Sequence, residues 1–339
     1  MTEIQLTAGG TGDAADRRFA EDRHTGAYLT TGVLMVLYGL VPAGWTAYTL
    51  IARDTPFGDF LLAMIWPVGD THVAAMSPYE WAFALALIVV GICALARRRA
   101  ARGGALLFAF ALLFASVREA VGLLDDAYRT EYFASDEGPW LLATRLFGLL
   151  VAVVVLSLML RARDDRGPRT GLTAFTVAGV VLVLAGGLRV AGVAVQRRGS
   201  EYFASILDPT GESPTSMYAS VIFYDATITV SLLVLGVLAL LKLRVARGAA
   251  LALLPVAAYV GLFTVVPLFE QLTFDAVFRS AELALFVGAE VASLVAALIV
   301  VPLLATATGR RGGADGQPLD PAAFAPFPGD VGQQHPGRH

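Results

Sequence analysis

Eight stretches of this chain are long and apolar enough to cross about 30 Å of hydrocarbon as helices of about 20 residues. They run from 28 to 51, 79 to 96, 105 to 124, 140 to 160, 171 to 195, 218 to 241, 249 to 269 and 280 to 306. In lipid no water is at hand to bond the backbone, so each span must satisfy its own amides, which a helix does alone and a strand does only in a closed barrel. A barrel would be written as short alternating segments, whereas these runs are continuous. The expectation is therefore an all-α polytopic membrane protein with eight transmembrane helices. A chain that is 56% hydrophobic and 16% charged fits that class and not a soluble domain.

Basic residues set the orientation. Arg97, Arg98, Arg99 and Arg102 follow the second run, Arg161, Arg163, Arg166 and Arg169 the fourth, Lys242, Arg244 and Arg247 the sixth, and Arg310 and Arg311 the eighth. The alternate connections carry few: Arg53, Arg129, Arg197 with Arg198, and Arg279. By the positive-inside rule the first set faces the cytoplasm, and so do both termini. The polar stretch from Met1 to His24 lacks a secretory leader's apolar core. We expect a cytoplasmic tail at 1–26, a membrane domain at 27–311 and a disordered Gly- and Pro-rich tail at 312–339.

The pentapeptide Glu131-Tyr132-Phe133-Ala134-Ser135 recurs as Glu201-Tyr202-Phe203-Ala204-Ser205. Each copy follows, at nearly the same distance, an arginine at the end of an apolar run, Arg118 for the first and Arg189 for the second. An acidic-aromatic pair also occurs at Asp59-Phe60, and Glu270 and Asp275 stand near the corresponding place in the last outward loop. This spacing predicts four tandem hairpin repeats at about 27–102, 103–169, 170–247 and 248–311, all in one direction, about an axis along the membrane normal. The apolar segment Phe60 to Pro67 is too short to span, so it lies at the interface or dips into the bundle. Trp66, Trp81, Trp140, Tyr79, Tyr132, Tyr202 and Tyr218 are expected as an aromatic belt on the outer side.

Several function classes are excluded or left without support. With 25 basic and 28 acidic residues the chain has no basic excess for nucleic acid. None of its four histidines lies in an apolar run, against haem ligation by paired imidazoles. Lys242 stands at a helix end, against a retinal Schiff base, and the lone Cys93 offers no disulfide and no metal pair. Asp125-Asp126 with Glu131 shares the acidity of Mg²⁺-diphosphate clusters but has no second cluster to face. No catalytic residue, cofactor or metal site is assigned, and the expectation is a protein that is not an enzyme.

Ionisable residues in the runs are the functional lead, because each costs about 2.5 to 3.5 kcal/mol at the bilayer centre. The candidates are Glu80, Arg118, Glu119, Arg145, Arg189, Asp225 and Glu290. Four of them stand at nearly equal depth from the basic end of their run: Glu80 from Arg97, Arg118 from Arg102, Arg145 from Arg161 and Asp225 from Lys242. At the rise of an α-helix each depth is about 24 to 26 Å, in the outer part of the membrane. Two readings stand open: structural ion pairs near helix ends, or the lining of an outward-facing polar cavity. Adjacent Arg118 and Glu119 point about 100° apart, so each needs a partner on another helix, and Arg118 and Arg189 are expected to find Asp225 or Glu80. Pro42, Pro255 and Pro267 mark kinks or hinges, and Gly179, Gly186 and Gly187 close packing.

Two functions fit these features. One is a multi-pass permease of the cell membrane for a small solute or ion. The other is a non-catalytic sensory or scaffold subunit that binds a ligand or protein partner through its external loops. The partners expected are the lipid bilayer with one of these, and no nucleic acid.

Overall fold

The computed structural model describes residues 22–52, 54–65, 78–134, 136, 138–162, 172–195, 206–209, 221–271 and 274–306. Among the described residues there are helices and no strands. After a 3₁₀ turn at Asp22–His24 come α1 (Thr25–Ala52), α2 (Phe57–Ile65), α3 (Pro78–Leu95), α4 (Ala101–Gly122), α5 (Asp126–Ala134) and α6 (Gly138–Arg161). They are followed by α7 (Leu172–Val195), α8 (Val221–Leu240), α9 (Arg244–Gln271), α10 (Phe274–Arg279) and α11 (Ala281–Thr306). Seven of these are long and apolar enough to cross a membrane. The run expected at 79 to 96 forms α3, whose apolar stretch Tyr79–Leu95 is shorter than the other seven. The second pentapeptide, the tails at 1–21 and 307–339, and Trp66, Tyr202 and Tyr218 lie outside the described residues.

The helices reverse the pattern of a soluble bundle. Leu29, Val33, Leu37 and Leu40 form an exposed apolar row on α1, and Val230, Val234, Val237 and Leu241 one along and just past α8. Rows at this spacing follow one face of a helix, and apolar faces of this extent turned outward need lipid. The protein is a multi-pass α-helical membrane protein.

Two groups of four helices share the interior. The first core is built on Met35, Leu87, Phe108, Val151 and Val155, from α1, α3, α4 and α6. The second is built on Leu182, Leu232, Leu254, Val260 and Val300, from α7, α8, α9 and α11. Helices α4 and α9 join the groups, and small residues let them approach. A β-carbon built on Gly103 would stand 2.2 Å from the carbonyl oxygen of Val245, and one on Gly248 1.9 Å from that of Ala100. Neither position accepts a side chain.

These two contacts are each other's image. An offset of 145 in the numbering carries Gly103 to Gly248 and Ala100 to Val245, and other contacts follow the same offset. Helix α3 ends in a Schellman turn with Arg97 at φ 53, Arg97 N–H bonding Ala94 O at 2.8 Å and Arg98 N–H bonding Cys93 O at 2.9 Å. Helix α8 ends the same way, with Lys242 at φ 60, Lys242 N–H to Ala239 O at 2.8 Å and Leu243 N–H to Leu238 O at 2.9 Å. Arg102 Nε donates to Met159 O and Arg247 Nε to Leu304 O, both at 2.9 Å, each placing a cation on the last carbonyls of a neighbouring helix. Gly32 and Gly91 bring α1 against α3, as Gly179 and Gly236 bring α7 against α8. Gly186 also sits tight against Leu233, whereas Gly187 has open space around it. These matched contacts relate positions on α1, α3, α4 and α6 to positions on α7, α8, α9 and α11.

Proline does not break the spans: Pro42, Pro255, Pro267 and Pro302 all lie inside continuous helices. The short segment after α1 folds in, forming α2, with Phe60 buried against Trp81 and the Tyr259 hydroxyl of α9 donating to Met64 O at 2.7 Å. Asp125 caps α5 by accepting the N–H of Tyr128 at 2.9 Å. Two belt expectations are corrected: Tyr132 is buried with Tyr128 and Leu141, and Tyr79 stacks on Tyr224 inside the bundle, while Trp140 is exposed. A phenol hydroxyl that finds a protein partner gains from burial what the headgroup layer would otherwise supply.

The seam yields a direct test. Gly103→Val and Gly248→Val force backbone apart at α4–α9 and should each destabilise the detergent-solubilised protein by about 1–3 kcal/mol or more, measured by thermal unfolding. Gly187→Ala, with open space around it, is the control and should change little. Equal behaviour of all three would contradict the close approach.

Candidate functional site

The seven ionisable candidates fall in one layer and in two clusters. In the first half, Glu119 on α4 meets Arg145 on α6, Nη2 to Oε1 at 3.1 Å, and accepts the Tyr128 hydroxyl from α5 on its other oxygen at 3.2 Å. Arg118, only 2% exposed, points elsewhere, as adjacent helical positions must, and its guanidinium lies 5.8 Å from the Phe223 ring of α8. Glu80 on α3 is buried in the same layer.

In the second half a single guanidinium is held by three helices. Arg189 on α7 donates through Nη1 to Asp225 on α8, through Nη2 to Glu290 on α11, and through Nε to Ser293 Oγ at 2.9 Å. Ser293 is itself fixed by donating to Ala289 O at 3.0 Å. Glu290 is 2% exposed, and α9 comes so close that a β-carbon on Gly261 would lie 3.2 Å from its Oε2. The partner expected for Arg189, Asp225, is present; Glu290 joins it from a helix that the sequence does not pair with it. All three donating nitrogens of the guanidinium work at charge-assisted bonds, the strongest class of hydrogen bond.

The offset of 145 carries into this layer. It relates Tyr79-Glu80 to Tyr224-Asp225, Arg145 to Glu290 and Gly148 to Ser293; on the first helix of each half the offset is 147, relating Pro42 to Arg189. In the second half the space between positions 225 and 290 is filled by the Arg189 side chain. In the first half proline stands in its place, and a cavity of ≈ 30 Å³ opens there, lined by Tyr38, Pro42, Glu80 and Arg145, with Phe223 and Tyr224 from the other half. That is room for about two water-sized groups. A second cavity of ≈ 20 Å³ lies next to it, sharing Phe83, Ala111 and Tyr224 as wall and lined also by Tyr79, Thr227 and Ser231.

The structure thus brings Arg189, Asp225 and Glu290 together, joins Glu119 to Arg145, and puts Glu80 and Arg145 on one cavity. It adds residues that charge alone does not single out: Tyr38, Tyr79, Tyr128, Tyr224 and Ser293. Two of them carry a signal, since the Tyr-acid dipeptide at the start of α3 returns at the start of α8. Comparison with known protein families, with curated proteins and with solved structures gave no match.

Two outcomes follow from the burial of these groups. Arg189→Met strands two carboxylates against each other and should cost about 3–5 kcal/mol in thermal unfolding, as expected for breaking one side of a buried pair; a loss below about 1 kcal/mol would mean that water already solvates the site. On the short helix α5, outside the spans, burial first and the Glu119 carboxylate second push the Tyr132 phenol up to about 12, and Tyr128 in the same direction. A raised phenol favours the fold fully below its unfolded value near 10 and loses that contribution as pH rises through its folded value. Stability should therefore fall between about pH 10 and 12, and Tyr132→Phe should flatten that fall.

Proposed function

We propose that the protein is a small-solute or ion permease of the cell membrane, and not an enzyme. In this reading all eight helices, α3 included, cross as four hairpins, the basic face with both termini is cytoplasmic, and the two four-helix halves are tandem copies related by an axis along the membrane normal. The observation that carries the reading is the cavity beside Glu80 and Arg145. It sets Glu80, Arg145 and Tyr38 into an otherwise apolar wall, it stands in the layer where the charged side chains gather, and its walls come from both halves, so motion of one half against the other changes its access. The Gly103 and Gly248 contacts press backbone on backbone between α4 and α9, a seam about which the halves rock to expose the cavity to each side in turn.

The alternative, a sensory or scaffold subunit with a ligand or protein partner at its external loops, draws support from one observation. The Arg189 cluster and the Arg145–Glu119 pair close much of the layer with protein partners, as a purely structural layer would.

Flux separates the two. The purified chain in proteoliposomes should carry at least one of methylammonium, urea and glycine, probes chosen for their small size, and Glu80→Gln should reduce that flux at least tenfold while leaving the protein folded. Absence of flux for every probe and for inorganic ions would decide for the scaffold.

A further inference from the structure

In the first half, helices α1 and α6 touch and then part. They touch at Gly148, where a β-carbon would stand 2.7 Å from the Tyr38 hydroxyl; toward the end away from the arginine-rich turns, Gly44 has open space around it. A groove of ≈ 720 Å³ opens there, walled by Val41, Trp45 and Tyr48 of α1 and by Trp140 and Phe147 of α6, with Asp136 also lining it. That is the volume of a ligand site, far above a packing defect. The matched positions of the second half hold no aromatic ring and no acid. Offsets of 147 on the first helix and 145 on the last set Leu188, Gly192 and Val195 against Val41, Trp45 and Tyr48, and Ala281, Leu285 and Ala292 against Asp136, Trp140 and Phe147. There the helices stay close, and a β-carbon on Gly192 would meet Leu285 O at 3.7 Å.

We propose that this groove binds a membrane lipid whose headgroup ends in a quaternary ammonium. The Trp45 and Tyr48 rings stand 5.8 Å apart at 84°, two walls at nearly a right angle, and Trp140, 70% exposed, adds a third aromatic wall. A cation among aromatic side chains is held by their π density, and the Asp136 carboxylate adds a negative charge to the same groove. The polar groups select the kind of ammonium. The Thr144 hydroxyl accepts from Trp45 Nε1 at 3.2 Å and donates to Trp140 O at 3.0 Å, so it is already engaged on both sides. A primary ammonium gives up its hydrogen bonds to water on entering and needs acceptors in return, whereas a trimethylammonium has none to give up and keeps its charge.

The position of the groove makes its occupant a lipid. At the rise of an α-helix Trp140 stands about 30 Å along α6 from Arg161, which is the thickness of the hydrocarbon. The aromatic mouth therefore lies at the headgroup layer, and Phe147 lies within the apolar layer. One turn further toward the arginine-rich end, Leu37 follows Val41 and Leu150 follows Phe147, both exposed. They continue the two walls along the path of an acyl chain, a surface that a soluble ammonium compound does not use. The groove shares no lining residue with the cavity beside Glu80 and Arg145, and the lipid site stands whether or not the chain transports a solute.

Native mass spectrometry of the purified full chain reads the site, with phosphatidylcholine, phosphatidylethanolamine and phosphatidylglycerol of the same acyl chains offered together in equal amounts. The first two differ only in the methyl groups on nitrogen. The expected result is one phosphatidylcholine retained about tenfold over either of the others. Trp140→Leu, Tyr48→Leu and Asp136→Asn, all at exposed positions, should each cut that preference about three- to tenfold. Phe133→Leu, which removes an exposed ring outside the groove, should leave it unchanged. Equal retention of the three lipids, or a preference that survives in both aromatic variants, overturns the proposal. Choline chloride separates a lipid from a soluble ligand. If millimolar choline raises the thermal unfolding temperature of the lipid-free chain in detergent while no phosphatidylcholine is retained, the occupant is a soluble ammonium compound and the lipid is overturned.

Discussion

Arg189 is the side chain on which the second half depends. A guanidinium that enters hydrocarbon must take its counter-charges with it, and here α8 and α11 each supply one while Ser293 accepts from Nε. Apolar packing cannot by itself choose among helix neighbours in a membrane, since lipid tails are as apolar as leucine. The charged bonds choose: they fix which face of α7 turns inward and which helices it meets. In the first half Arg145, Glu119 and Tyr128 do the same for α4, α6 and the short helix α5.

Small residues then decide how close those helices come. Glycines at 32, 91, 179 and 236 draw the first two helices of each half together, and Gly103 and Gly248 press backbone on backbone between the halves. These contacts gather near the basic face, whereas the cavities and the charged side chains gather toward the other. The bundle is therefore tightly packed at one end and carries its charged side chains toward the other. Arg102 and Arg247 reinforce the tight end by covering the last carbonyls of α6 and α11.

Much of this can be read in the chain. Continuous apolar runs locate the helices to within a few residues, because nothing but a helix satisfies its own backbone in lipid. The depth count from the basic ends puts Glu80, Arg118, Arg145 and Asp225 in one layer, since the rise of a helix is fixed. Partners are harder: helical periodicity says which way Arg118 and Glu119 diverge but not which helix lies opposite, and so Glu290 reads as an isolated charge when it is half of a clamp. The repeated pentapeptide points to a single hairpin as the unit. The offset of 145 runs through scattered glycines, a Tyr-acid dipeptide and two positive-φ turns, none of which stands out in the chain until their contacts are set side by side. Tyr132 reads as a surface residue because an aromatic near a membrane boundary looks the same in sequence whether it faces headgroups or Glu119.

Transport requires that the cavity between the halves be reached from each side of the membrane in turn. Ala84 lines that cavity and is almost wholly buried. With Cys93 replaced by serine, a lone cysteine at position 84 can be offered to a membrane-impermeant thiol reagent from the outside of right-side-out vesicles or of inside-out ones. Alternating access predicts labelling from either face, with modification from one face preventing modification from the other. A cysteine that reacts from neither face, or from the external face alone, would contradict alternating access and leave the charged layer as a structural clamp.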